Sequence, residues 1–336
     1  MMLTFLAVVV ALLLLGAASF VLSVHAQEHR PDRIPALLYH RLISKERYDR
    51  GEIRSEERSY VVFDAFFAAQ MEALQRAGYT TLHLDDYLKI RRGEMARPER
   101  PILVTFDDGF RSNYLYAFPV LRRLGMKATI FMTPDRSSRN FEKNAPLDGP
   151  LSDDELREMS AAGVAIESHG MTHRYLTDLD DHTIRWELAE SRRVLEATLG
   201  RPVRFLAIPS GAYNGTIRRL AQDTGYAAVF SMGKGTMNMK SDLLALKRLV
   251  VGRDLDAAGL LSLLEPGNIF LLRLTSTVQV TFMRVFGVHT LDRLRALILK
   301  LPFGAALIRR PAVLLAAGLS TLAVLGALLV SLLWRS

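Results

Sequence analysis

Two adjacent carboxylates, Asp107 and Asp108, close the apolar run Ile102-Leu103-Val104-Thr105-Phe106 and are followed by Gly109. A buried strand that ends this way delivers charge to the rim of a site, and the glycine permits the tight turn beyond it. Neighbouring side chains at a strand end point different ways. One carboxylate can therefore hold a metal ion while the other serves as a base on water. Taken alone, the three residues read more readily as a solvated Asp-Asp-Gly turn. Further along, His169 and His173 stand four positions apart. On a helical turn that spacing sets both imidazoles on one face, and Asp108 completes an Asp-His-His set suited to zinc or a similar divalent ion. A solvated helix face is the alternative for the histidine pair; the strand-end carboxylates favour the metal.

These groups need a scaffold, and the chain alternates short apolar runs with helical patterns. Strands are expected at 36–40, 80–82, 102–106, 128–132, 164–168, 205–208, 227–230 and 249–251. Helices are expected at 63–77, 85–91, 115–124, 152–162, 181–199 and 217–224, with Gly78, Gly125, Gly163 and Gly200 as stops and Ser152 with Glu155 as a capping box. Residues 41–59, dense in charge, read as a mobile surface loop. Eight apolar runs separated by helices predict parallel strands with helical crossovers, closed or nearly closed into an α/β barrel. His40, Asp107, Asp108, His169 and the turn at Pro209 all fall at or just after strand ends, the mouth of such a barrel.

With 336 residues, 49% of them hydrophobic, the chain can bury one large core. It has no cysteine, which excludes disulfides, thiolate ligands and cysteine nucleophiles and leaves His, Asp and Glu as metal ligands. The net charge is +8, and residues 268–336 hold eight basic side chains against one acidic, Asp292. Because that charge sits in an apolar tail without a folded basic face, no nucleic-acid partner is expected and anionic lipid fits better.

The residues around Asp107 and His169 are similar to a known family. Thr105-Phe106-Asp107-Asp108-Gly109 and the His169/His173 pair resemble the first two motifs of the polysaccharide deacetylases, the NodB-homology family also called carbohydrate esterase family four. The likeness runs over residues 34–251. Leu38-Tyr39-His40 carries the family's Leu-x-His pattern on the first strand, the order of the circularly permuted branch acting on poly-N-acetylglucosamine. The resemblance implies a distorted (β/α) barrel over residues 34–254 and removal of N-acetyl groups from a glycan containing N-acetylglucosamine. It makes Asp107 the general base, Asp108, His169 and His173 the ligands of a divalent metal, zinc foremost, His40 the general acid, and the Ser210 main-chain N–H a donor to the oxyanion. One departure stands out. Ala207 occupies the place of the arginine in the family's Arg-x-Pro-Tyr motif, so Asp107 needs another partner, for which Arg111 is the candidate, its alternative being a surface arginine. That missing arginine keeps open a membrane-tethered carbohydrate-binding protein without turnover.

Both ends read as membrane segments. Residues 1–26 are an expected signal peptide or anchor, and residues 311–334, uncharged and bracketed by Arg309-Arg310 and Arg335, an expected span. Residues 268–310 read as a basic amphipathic segment lying on lipid, with packing against the barrel as the alternative. The expected location is the cell membrane, with the catalytic domain outside the cytoplasm where such glycans lie. Arg30 and Arg33 argue the other way on the positive-inside rule, which keeps a lipid-linked sugar on the cytoplasmic face as an alternative substrate.

Overall fold

The computed structural model describes residues 2–52, 61–138, 141 and 148–274. The chain forms two units, Asp32–Leu264 and a smaller one of Met1–Pro31 with Glu265–Ser336. In the smaller unit α1 spans Met2–Glu28, and buried Glu28 pairs with Arg273 at 2.8 Å. Side chains of residues 2–14 lie outside the description; among the described residues no single helix is long and apolar enough to cross a membrane. The expected span at 311–334 and, beyond residue 274, the expected surface segment at 268–310 fall outside the described residues.

The larger unit is a parallel α/β barrel. Its strands are β1 (Ala36–Tyr39), β2 (Arg41–Ile43), β3 (Val61–Phe63), β4 (Thr80–Thr81), β5 (Pro101–Phe106), β6 (Ala128–Met132), β7 (Val164–Ser168), β8 (Phe205–Ala207), β9 (Ala228–Lys234) and β10 (Leu246–Val250). The order β1-β10-β9-β8-β7-β6-β5 closes through a direct β1–β5 pairing, so seven strands make the ring. The eighth expected strand, β4, stays outside. It reaches only Pro101 and Ile102 of β5, while β1 takes the rest of that edge from Ala36↔Leu103 to Tyr39↔Phe106. A two-residue strand is too short to compete for the closing position.

The stretch expected as a loop at 41–59 is ordered over its first part. It forms β2, which pairs with β3, and α2 (Lys45–Asp49), capped by Ser44. Its charges are satisfied locally, as in Arg47–Glu52 at 2.7 Å, and Arg41 is buried against Asp148 at 3.0 Å. Residues 53–60 lie outside the described part.

The crossovers follow from capping and spacing. They are α3 (Asp64–Arg76), α4 (Leu84–Arg91), α5 (Phe118–Leu124), α6 (Asp153–Ala161), α7 (Asp181–Leu199) and α8 (Gly215–Asp223), and α9 (Ala257–Leu263) follows the last strand. In α6 the Ser152 hydroxyl accepts from Glu155 N–H while the Glu155 carboxylate accepts from Ser152 N–H, satisfying two end groups reciprocally. The helix α7 starts on Asp180, which accepts from Thr183 N–H, and stops at left-handed Gly200. The helix expected at 115–124 differs. A π-turn over Asn113–Ala117 precedes α5, because Pro119 has no N–H to return to Leu115 and the ladder shifts to Phe118 N–H bonding the Asn113 carbonyl.

Inside the ring, Phe131 and Phe230 pack edge to face at 5.6 Å between centroids, with Leu103, Ala207 and Leu246 in the same buried cluster. The strand β10 begins three residues earlier than the apolar run suggests. That extension carries Arg248, only 5% exposed, into the wall.

Candidate active site and metal centre

The C-terminal ends of the strands form one mouth, and the chemistry-bearing residues gather there. Asp107 follows β5 on the same inward face as Leu103 and Thr105, and its N–H bonds the Tyr39 carbonyl at 2.9 Å. Since Tyr39 lies opposite Phe106, half-buried His40 comes beside Asp107. Asp108 turns away on a left-handed backbone, φ 74, and so faces a different direction from its neighbour. The two carboxylates of the strand end are thereby separated into two environments.

Asp107 is gripped by Arg248, whose Nη1 donates to Oδ1 at 2.6 Å and Nη2 to Oδ2 at 2.7 Å. Burial alone would push this carboxyl up, but Arg248 and the neighbouring imidazoles hold it below the usual carboxylate range. Arg111 does not serve here. It is exposed and pairs with Glu155 at 2.8 Å, so the expectation of Arg111 as the partner of Asp107 is corrected to Arg248.

Asp108, His169 and His173 converge, with one ligand atom from each within 4.8 Å of the others. Asp108 Oδ1 lies 3.0 Å from His173 Nε2 and 3.5 Å from His169 Nε2, yet this buried oxygen accepts no aligned hydrogen bond. His169 Nδ1 is 2.8 Å from the Ala207 carbonyl, which fixes Nδ1 as the protonated nitrogen and turns the lone pair of Nε2 toward Asp108. Burial pushes His169 down to about 4, so the ring is neutral at working pH. For Asp108 burial works upward, but the imidazoles of His173, His40 and His169 outweigh it and hold the carboxyl well below its ordinary range. An orphaned buried carboxylate oxygen facing two imidazole nitrogens, one of them a neutral lone-pair donor, is the donor set of a divalent cation, and the residues fit such an ion.

The histidine pair is not on a helical turn, as its spacing suggested. Residues 169–173 form a bend in which Gly170 has φ 73 and His173 φ 60. A Cβ at position 170 would come within 3.1 Å of Pro209 Cγ, so the glycine also lets this bend pack on the turn after β8. That turn carries Ser210 at the surface of the mouth, φ 55, and Tyr213, whose hydroxyl donates to the Leu244 carbonyl.

The polysaccharide deacetylase family model matches residues 94–229. Asp107, Asp108, His169 and His173 all lie within the matched residues. The chain carries a polysaccharide deacetylase domain of the NodB type. The Bacillus subtilis protein YxkH, named for the same family, is 29% identical over 222 residues, covering 66% of this chain and 72% of its own. A poly-beta-1,6-N-acetyl-D-glucosamine N-deacetylase of Staphylococcus epidermidis is 26% identical over 211 residues, 59% of this chain and 71% of that one. The fold is shared with a Streptococcus pyogenes deacetylase solved with acetate, TM-score 0.62 at 22% identity, covering 70% of this chain and 100% of that one.

The deacetylase domain is a hydrolase domain. His40 and Arg248 lie outside the matched residues 94–229 and reach the site because β1 bridges β5 and β10. Moving β1 to the far end of the chain would leave the ring unchanged, which is the geometric content of the permuted order. Sequence reasoning missed Arg248, whose Lys247-Arg248 setting reads as surface charge. It also missed Glu187, although a glutamate on the apolar stripe Ile184, Leu188, Leu195 of α7 is a visible signal.

Proposed function

We propose that this chain is a metal-dependent N-deacetylase of polysaccharide containing N-acetylglucosamine, acting at the membrane. The observation that carries the reading is the division of labour between adjacent carboxylates, Asp107 clamped by Arg248 and Asp108 facing His169 and His173. The likeness to the Staphylococcus epidermidis N-deacetylase supports the choice of glycan. In this reading Asp108, His169 and His173 hold the ion; zinc suits one carboxylate and two imidazoles. When bound, it supplies Lewis-acid polarisation at the acetamide.

The chain's own groups do the rest. Asp107, kept ionised by Arg248, takes the proton from the attacking water, and the clamp fixes which lone pair faces it. The main-chain N–H of Ser210, on the turn over the mouth, stabilises the charge that develops on the acetyl oxygen. His40, beside Asp107 at the end of β1, protonates the departing amine. Acetate and a free amino sugar leave. Arg248 restores what Ala207 lacks, which favours turnover over a binding-only role.

Residues 1–26 and 311–334 would tether the domain, and residues 268–310 would rest on lipid, with the domain outside the cytoplasm. Acetate release from a defined N-acetylglucosamine oligomer tests the activity, with Asp107→Asn and Asp108→Ala expected to abolish it; turnover surviving in either variant would sink the assignment. A reporter fused after Val251 tests the compartment, and a cytoplasmic signal would point to a lipid-linked sugar instead.

A further inference from the structure

Two of the three ligands sit on a bend with no helix to hold them. Such a bend carries main-chain N–H groups that need partners, and its left-handed His173 persists only where surrounding contacts determine it. The anchor comes from α7. Glu187, 0% exposed, accepts the N–H groups of Met171 and Thr172 at one oxygen, both at 2.9 Å, and the Thr172 hydroxyl at the other. One turn further along α7, Ser191 meets the Ser168 hydroxyl at 2.8 Å, and the Ser168 oxygen accepts from Gly170 N–H at 3.3 Å. Met171 and Thr172 thus donate directly to α7, and Gly170 is tied to it through Ser168.

The carboxylate has no other reason to be there. Among the described residues no Lys or Arg pairs with Glu187, so the cost of burying its charge is offset by these three bonds from the bend alone. Charge-assisted bonds of this kind are about twice as strong as neutral ones, and they act between the two ligands without touching either. Bend and carboxylate therefore fix each other.

We propose that Glu187 is a positioning residue of the metal centre, setting the distance and attitude of His173 against His169 and Asp108. The proposal rests on the reading of Asp108, His169 and His173 as ligands. Glu187 reaches neither the ion nor the substrate, so its removal acts first on metal affinity and ligand geometry. Glutamine is nearly isosteric. Its oxygen can accept both N–H groups and its amide can donate to the Thr172 hydroxyl, so Glu187→Gln retains the bend whereas Glu187→Ala cannot.

The test is Co2+ titration of the purified full chain, read as a dissociation constant and as the visible absorption of the bound ion. Wild type takes up one equivalent, and Glu187→Ala binds about 10–100-fold more weakly with a changed spectrum, the usual consequence of losing an outer partner of a ligand. Glu187→Gln recovers most of the affinity. Thr172→Val loses one of the three bonds and weakens binding roughly three- to tenfold, which keeps the test available should Glu187→Ala not fold. Unchanged Co2+ affinity and spectrum in a folded Glu187→Ala, or in Thr172→Val where only that variant folds, overturns the proposal, as does a fall in melting temperature alone. Failure of the underlying reading looks different: wild type takes up no Co2+, or Asp108→Ala binds it as well as wild type does.

Discussion

Arg248 and Asp107, 141 positions apart in the chain, meet through two parallel hydrogen bonds of 2.6 and 2.7 Å inside the barrel wall. The guanidinium also lies over the ring of Phe230, 4.9 Å from its centroid, so its plane is held from a second side. A planar fork on a carboxylate fixes orientation as well as charge, which a lysine cannot do. Asp107 is thereby presented in one rotamer at the mouth.

Replacing Arg248 separates these two effects. Arg248→Lys keeps a positive charge but loses the fork, and kcat for acetate release is expected to fall by about tenfold or more through misorientation of the base. Arg248→Met leaves the carboxylate buried and unpaired, with a stability loss of about 3–5 kcal/mol in chemical denaturation. The pH signs follow from the lowered Asp107 value. In wild type the stability from the pair is present above the unfolded carboxyl value of about 3.9 and is lost as pH falls through the lower native value. In Arg248→Met burial is opposed only by the imidazoles of His169 and His40, so the carboxyl rises from its wild-type value, the acid limb of kcat/KM moves to higher pH, and the stability that ionised Asp107 contributes at neutral pH shrinks.

Removing the metal gives the second prediction. Asp108 Oδ1 is buried without an aligned hydrogen bond, so the empty centre leaves a charge that the ion would satisfy. Chelation is expected to abolish acetate release and lower the melting temperature together. Zinc restored at about a hundred times its dissociation constant adds about 2.7 kcal/mol, a rise of about 5–10 °C for a domain of this size. Asp108→Ala should show neither loss nor recovery. A melting temperature in wild type indifferent to both treatments would contradict the ligand assignment.

How much of this was readable beforehand depended on whether a residue's role is local. Asp107, Asp108 and His40 sit at strand ends, and strand ends are legible from apolar runs; the barrel follows from their alternation with helices. Arg248 was hidden because its partner lies on another strand and a Lys-Arg pair resembles solvated charge. The spacing of His169 and His173 gave convergence correctly but the wrong backbone, since a bend with two left-handed residues reproduces what a helical turn would do. All eight expected strands form, but the closed ring has seven, because β4 pairs with β5 without the length to join the closure. Pro119 was the overlooked cue for the π-turn before α5.

Gly109 tests the geometry of the turn that separates the carboxylates. Its φ is 87, and a Cβ there would fall inside the Met132 sulfur. Left-handed backbone costs a non-glycine residue about 1–2 kcal/mol, and overpacking adds about 1–3 kcal/mol. Gly109→Ala is expected to destabilise by about 2–5 kcal/mol in chemical denaturation. Because part of that is one contact, Gly109→Ala combined with Met132→Ala should cost less than the two single changes together by about 1 kcal/mol. Strict additivity would place the whole effect in the backbone.

His40 supplies the last prediction, since its role depends on a strand that the matched region does not include. The register of β1 on β5 puts it next to Asp107, while the histidine pair sits on the bend after β7. A proton donor to the leaving amine matters in the transition state and little in substrate binding, so its loss should appear in kcat with KM nearly unchanged. His40→Ala is expected to lower kcat by about 10²–10⁴-fold while metal content and melting temperature stay at wild-type values. The leaving group offers a sharper check. A substrate with a far less basic leaving group, such as an activated acetanilide, needs little protonation, and on it the deficit of His40→Ala should shrink. An equal deficit on both substrates would move the proton-donor role to another residue of the mouth and leave His40 as a strand-end histidine.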